Sequence, residues 1–148
     1  MKTTIFEFLA ELERDLAEFY NRLKGLSRFD RSAEIFDFMK DHSEGHSRQI
    51  ERLNRKHEKP SLDRGFFLQV HEQIKGSLFN EIGSSEDFIE ALQKVSKAEE
   101  LVGKLYKILA AHYRDLSGYY RDIASEIEVI AEEEFVHRDM VLRESRKY

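Results

Sequence analysis

The stretch Ala131-Glu132-Glu133-Glu134-Phe135-Val136-His137 puts a carboxylate and an imidazole three residues apart, at Glu134 and His137. On a helix, residues at that spacing share one face. The row through them reads Ile127, Ile130, Glu134, His137, Val141, so the pair falls among residues that a helix buries. A buried carboxylate is costly unless it is paired, protonated or bound to a cation. A metal ion is the economical partner for a Glu and a His on one buried face. In a chain this rich in Glu, however, a single Glu-x-x-His arises often by chance. A metal site therefore needs partners elsewhere in the sequence.

Three other apolar rows supply them. Leu9, Glu13, Leu16 and Tyr20 step by four, three and four, which places Glu13 in the apolar row of a first helix. A later row reads Val95, Glu99, Val102, Tyr106, Leu109 and Tyr113. Between them, His42 and His46 lie in the row Ile35, Met39, His42, His46, Ile50 and Leu53. Residues 4–57 and 85–145 thus repeat one scheme: a helix with an inward Glu and a Tyr seven residues on, then a helix with an inward His. Four-helix bundles hold two metal ions with one Glu from each of two helices and Glu-x-x-His from each of the others. Carboxylate and imidazole donors suit iron, manganese or zinc, and open coordination positions would admit oxygen or peroxide.

The elements that must carry these residues are long helices. Thr4-Ile5-Phe6-Glu7 has the form of a capping box opening a helix over about 4–24, with Gly25 as its stop. Asp30 is a candidate N-cap for a second helix over about 31–57, which Pro60 forbids from continuing. Ser84 or Ser85, followed by Glu86 and Asp87, marks the start of a third helix over about 85–116. Gly103 in its middle costs roughly 1 kcal/mol against Ala and points to a close helix contact. Ser117-Gly118 makes a turn into a fourth helix over about 119–145. Residues 58–84 are punctuated by Pro60, Gly65, Gly76 and Gly83 yet remain apolar, so they form a packed crossover with a short helix around Leu68–Phe79.

Composition agrees with this scheme. The chain has 148 residues, one Pro and no Cys, with 36% charged and 41% hydrophobic residues. That length suggests a single domain over 1–148. The absence of Cys removes disulfides and thiolate metal centres. A net charge of −5 argues against a dedicated nucleic-acid binder. No apolar run reaches the ~20 residues of a membrane span, and the N-terminus lacks the apolar run of a signal peptide. The expectation is an intracellular protein of the cytoplasm with no nucleic-acid or membrane partner.

On these residues the sequence resembles the rubrerythrin branch of the ferritin-like superfamily, over nearly the whole chain. Leu12-Glu13-Arg14-Asp15-Leu16-Ala17-Glu18-Phe19-Tyr20 is similar to the family's first-helix motif. Glu44-Gly45-His46-Ser47-Arg48-Gln49-Ile50-Glu51-Arg52-Leu53 is similar to the second, and Glu99–Tyr106 and Glu134–His137 to the third and fourth. The resemblance implies an all-α, ferritin-like four-helix bundle with a long left-handed crossover between helices two and three. It implies a di-iron site in which Glu13 and Glu99 are flanking carboxylates, Glu134 bridges the metals, and His46 and His137 are terminal ligands. It further implies reduction of hydrogen peroxide or oxygen, and a homodimer. The family's rubredoxin domain has no counterpart here, so electrons would come from a separate donor protein.

Two positions depart from the family pattern. Where the family places its other bridging Glu, three residues before His46, this chain has Ser43. Where many rubrerythrins carry an extra Glu one turn after the third-helix ligand, it has Val102. Two functional readings follow. One is a di-iron oxidoreductase of rubrerythrin type. The other is a degenerate bundle with a partial metal site or none, in which the same residues hydrogen-bond to one another and to water and the protein serves a structural or interaction role. His42 reads as a core-edge residue rather than a substitute ligand, and His57, His71 and His112 show no partner pattern.

Overall fold

The computed structural model describes residues 5–26, 29–30, 33–56, 65–84, 87–114 and 121–147. All regular structure among them is helical, with no strand. In chain order the elements are α1 (Ile5–Lys24), α2 (Ala33–Lys56), α3 (Gly65–Glu72), a π-helical turn (Gln73–Leu78), α4 (Phe79–Ser84), α5 (Phe88–Arg114) and α6 (Arg121–Ser145). The chain divides into two compact units, Met1–Gln73 and Ile74–Tyr148. No described helix is long and apolar enough to cross a membrane.

In the first unit α1 and α2 form an antiparallel hairpin. Ser47 of α2 donates from Oγ to the Ala10 carbonyl at 3.1 Å, while at the other end Lys24 reaches Asp37 at 2.8 Å. As the position rises along α1 it therefore falls along α2. Arg14 ties the same seam from outside, to Glu51 and to Ser47. The buried row of α1 is Phe6, Leu9, Glu13, Leu16, Tyr20, Leu23. That of α2 is Phe36, Met39, Ser43, His46, Ile50, Leu53. Both step by alternating threes and fours, the seam of a coiled coil. Tyr20 stacks on Phe36 at a ring separation of 6.2 Å. The α2 row differs from the sequence expectation in its first half: Ile35 and His42 are only half-buried, and Phe36 and Ser43 take the inward places. The ring of Phe36, enclosed between Tyr20 and Phe29, sets that phase.

The second unit is built on the hairpin of α5 and α6. Lys107 of α5 pairs with Glu128, at 3.2 Å, and with Glu132, while Arg114 also takes Glu128. The buried rows are Leu92, Val95, Glu99, Val102, Tyr106, Leu109, Tyr113 on α5 and Ile123, Ile127, Ile130, Glu134, His137, Val141 on α6. Their steps match those of the first unit. Gly103 is where the two helices meet without a side chain between them. A Cβ built there would lie 2.7 Å from Cε1 of Phe135 and 3.0 Å from its Cζ. The Phe135 ring lies over the glycine, and the Arg138 guanidinium covers that ring at 5.1 Å. The close contact expected from a mid-helix glycine is present.

Two boundaries differ from the sequence reading. The third long helix begins at Phe88, not near residue 85, because Asp87 is its cap: Asp87 Oδ1 accepts from the backbone N–H groups of Ile89 and Glu90 at 3.0 and 3.3 Å. Ser84 instead closes α4, its hydroxyl donating to the Asn80 carbonyl at 2.8 Å. Residues 65–84 are helical throughout rather than only around Leu68–Phe79. Gly76 lies in a π turn, and the Asn80 amide donates to its carbonyl at 2.7 Å where the wider spacing gives way to α4. A glycine tolerates this at a cost of about 1 kcal/mol. The expected signals at Thr4, Pro60, Ser85 and Ser117-Gly118 lie outside the described residues, as does His57.

Two outcomes test these hairpins. Gly103→Ala gains ~1 kcal/mol of helix propensity but overpacks against Phe135, which costs about 1–3 kcal/mol. It lowers stability in the wild-type background and raises it in a Phe135→Ala background, and a denaturant-melt double-mutant cycle reads that change of sign. The Lys24 ammonium, bonded to Asp37 and attracting it, holds that carboxyl below its ordinary value of 3.8. A carboxyl with a lowered folded value stabilises the fold above its unfolded pKa, and the contribution fades as pH falls through the folded value. The melting-temperature gap between wild type and Lys24→Met is therefore small but measurable at pH 6, narrows as pH falls below the ordinary value of 3.8, and shrinks in molar salt.

Candidate metal centre

The heptad-like rows carry their polar residues to the middle of each hairpin. In the second unit Glu99 comes from α5, and Glu134 and His137 come from successive turns of α6. Both carboxylates are 0% exposed and His137 is 1% exposed. His137 Nδ1 stands 3.7 Å from Glu99 Oε2 and 4.0 Å from Glu134 Oε2. One donor atom from each of the three lies within 4.8 Å of the others, a grouping that could hold a metal ion.

Those separations have a chemical meaning. An N–H···O hydrogen bond closes to about 2.7–3.2 Å, and these contacts are longer. Two donors bound to one ion at about 2.0–2.2 Å sit roughly 3.0–3.5 Å apart. The two contacts of His137, at 3.7 and 4.0 Å, are somewhat wider than that spacing, and rotation of the carboxylates about their terminal torsions can narrow them. Two carboxylates this far from water repel one another unless a cation or a proton stands between them. An oxygen–oxygen–nitrogen donor set with no sulfur fits iron, manganese or zinc, and nothing in it selects one of them. The residues present fit a divalent ion.

The first unit repeats the facing Glu–His pair. Glu13 Oε1 stands 3.6 Å from His46 Nδ1, with Glu13 0% and His46 3% exposed. Ser43 occupies the position in α2 that Glu134 occupies in α6, three residues before the histidine in the buried row. Its hydroxyl is buried and has no hydrogen-bond partner among the described residues. His42 lies beside the row, half-buried, with its ring 4.0 Å from Phe38 and 6.2 Å from His46. The five residues singled out in the sequence are all buried, Glu13 beside His46 in the first unit and Glu99, Glu134 and His137 together in the second.

The remaining histidines described have ordinary packing roles. His71 sets its edge against Phe8 at 4.8 Å and lies 3.9 Å from Asp15. His112 packs on Tyr113. The sequence reading did not anticipate Phe135, whose contact with Gly103 falls one turn from Glu99 and beside Glu134. The glycine was legible as a contact point, whereas its partner belongs to a half-exposed position that no apolar row marks. Comparison with known proteins returns no match: no family model, no curated protein and no solved structure is similar to this chain.

The cluster predicts a change of sign. Glu134→Gln removes one of two clustered buried carboxylates. It raises the stability of the metal-free protein by about 1 kcal/mol or more and removes the stabilisation that a divalent ion confers on the wild type. Chemical denaturation in chelator and in excess manganese measures both. A variant destabilised equally in the two conditions contradicts a metal role for Glu134.

Proposed function

We propose that this protein binds iron through two half-sites, Glu13 with His46 and Glu99 with Glu134 and His137, as a rubrerythrin-like member of the ferritin-like four-helix bundles, and that it reduces hydrogen peroxide or oxygen. The observation that carries the reading is the buried Glu99–Glu134–His137 cluster, whose donor atoms lie within 4.8 Å of one another in the apolar seam of a hairpin. The repeat of Glu, His and Tyr at equal spacing in both hairpins supports a pair of metal positions rather than one.

When bound, redox-active iron supplies the electrons for cleaving an O–O bond. The chain's own residues have other tasks. Glu99 and Glu134 neutralise the cation's charge, and His137 adds a nitrogen donor that fixes the ligand geometry. The surrounding rows, among them Val95, Val102, Ile130 and Val141, exclude water. Tyr20 and Tyr106, each seven residues beyond the helix's Glu, are fully buried aromatic walls of the same seams. Reducing equivalents come from a separate donor protein, the assembly is a homodimer, and the protein acts in the cytoplasm.

A second reading has its own support in Ser43: a partial site that binds metal without turnover, in a protein with a structural or interaction role. Two measurements separate the readings. Untagged protein purified from cells grown with iron is expected to contain iron by elemental analysis, and metal at a hundredfold excess over its dissociation constant to add ~2.7 kcal/mol of stability. Anaerobically reduced, iron-loaded protein is then expected to consume hydrogen peroxide in single turnover with oxidation of the iron, and Glu99→Gln to abolish that reaction. Iron content without peroxide consumption favours the second reading in its partial-site form, and an unchanged melting temperature with added metal excludes the first reading and leaves the bundle without a metal site.

A further inference from the structure

The Glu99–Glu134–His137 cluster is closed to solvent. All three side chains are buried, and so are their neighbours in the rows of α5 and α6, Val95, Val102, Ile130 and Val141. An ion can reach the cluster only through a transient opening of the structure around it. Which part of that wall gives way decides how fast the site loads and empties.

One place in the wall is built differently. Gly103 lies one turn beyond Glu99 on α5, and Phe135 directly follows Glu134 on α6. The Phe135 ring covers the bare backbone of Gly103: a Cβ there would lie 2.7 Å from Cε1, 3.0 Å from Cζ and 3.1 Å from Cδ1. Side chains of a three-and-four seam interlock with those across from them, so none moves without displacing its neighbours. Here a flat ring rests on backbone, and Gly103 has no side chain to lock it. Phe135 is half-buried, so the ring has solvent to turn into. Its outer cover is Arg138, whose guanidinium lies 5.1 Å from the ring centre and whose Nε donates to Asp139 at 3.0 Å. Both of these charged side chains are partly solvent-exposed, at 30% and 58%, and a surface pair of this kind holds the cover only lightly.

We infer that Phe135 is the gate of the cluster: its ring swings off Gly103 into solvent and opens, between α5 and α6, the passage by which a divalent cation enters and leaves. This rests on the reading of Glu99, Glu134 and His137 as metal ligands. The motion turns one side chain about its own torsions. It exposes little surface and needs no separation of the two helices. It changes the barrier to entry and leaves the bound state as it is, so it sets both rates together and not the affinity. Arg138 acts through the ring, holding it closed from outside.

Cobalt(II) binding to the untagged, metal-free full-length protein tests this. Stopped-flow absorption reads association, and transfer of bound cobalt to excess chelator reads release. The absorption that Glu99→Gln abolishes reports the cluster. Phe135→Ala is expected to speed association and release alike, each about tenfold or more, with the dissociation constant unchanged. Arg138→Ala is expected to speed both roughly two- to fivefold, the size of one exposed cation–ring contact. Wild-type release is expected to be nearly independent of urea below the unfolding transition, because a process that exposes little surface has a small denaturant slope. Unchanged rates in Phe135→Ala overturn the gate, as does faster release with unchanged association, which marks a residue that positions the ligands. Wild-type release that climbs steeply with urea also overturns it, since the ion then leaves by parting of the helices. Failure of wild type to bind cobalt, or binding that Glu99→Gln leaves intact, overturns the metal reading itself.

Discussion

Charge balance inside the two hairpins constrains the rest of the molecule. A buried carboxylate is tolerated only with a compensating charge nearby. In the first hairpin the Glu13 carboxylate faces the His46 imidazole at 3.6 Å. In the second, the Glu99 and Glu134 carboxylates both face the His137 imidazole, at 3.7 and 4.0 Å. Apolar residues of the same volume would pack the seam at lower cost, and the residues kept there instead form a grouping that could hold a metal ion.

The packing around the cluster makes it hard for the carboxylates to escape. Glu99 and Glu134 cannot swing to solvent without unseating the rows above and below them, because Val95, Val102, Ile130 and Val141 are fully buried at neighbouring positions. The spacing between α5 and α6 is set close by, where the ring of Phe135 rests on the bare backbone of Gly103. The helix register is held from outside by Lys107 and Arg114 reaching across to Glu128 and Glu132. Surface pairs of this kind contribute little energy singly. They nevertheless oppose a slide of one helix along the other, which would carry His137 away from Glu99.

Much of this was legible in the sequence, for a physical reason. The alternating three-and-four spacing of Leu, Ile, Val and Tyr fixes which face of α1, α5 and α6 is buried, and Glu13, Glu99, Glu134 and His137 fall on that face without further assumption. Helix α2 was harder. Ile35, Phe36 and Phe38 allow two phases, and His42 and Ser43 both stand one turn before His46. Apolarity alone cannot choose between them, and the choice is made by Phe36 filling the space between Tyr20 and Phe29. The segment before α5 was misread in part because its glycines look like breaks, whereas Gly76 is absorbed in a π turn. Asp87 and the serines before it are equivalent as caps by residue type. Where α4 ends decides between them, and that is a tertiary fact.

The difference between the hairpins is confined to charge and reach and leaves packing phase untouched. Serine and glutamate at positions 43 and 134 both occupy the buried row, so exchanging one for the other shifts no apolar residue to the surface. The exchange decides instead how many carboxylates the buried row carries: Glu13 alone in the rows of α1 and α2, Glu99 and Glu134 in those of α5 and α6. Each further buried carboxylate has to be met by a proton, a cation or hydrogen bonds, so the register of two residues in otherwise matching rows sets the electrostatic cost of each hairpin.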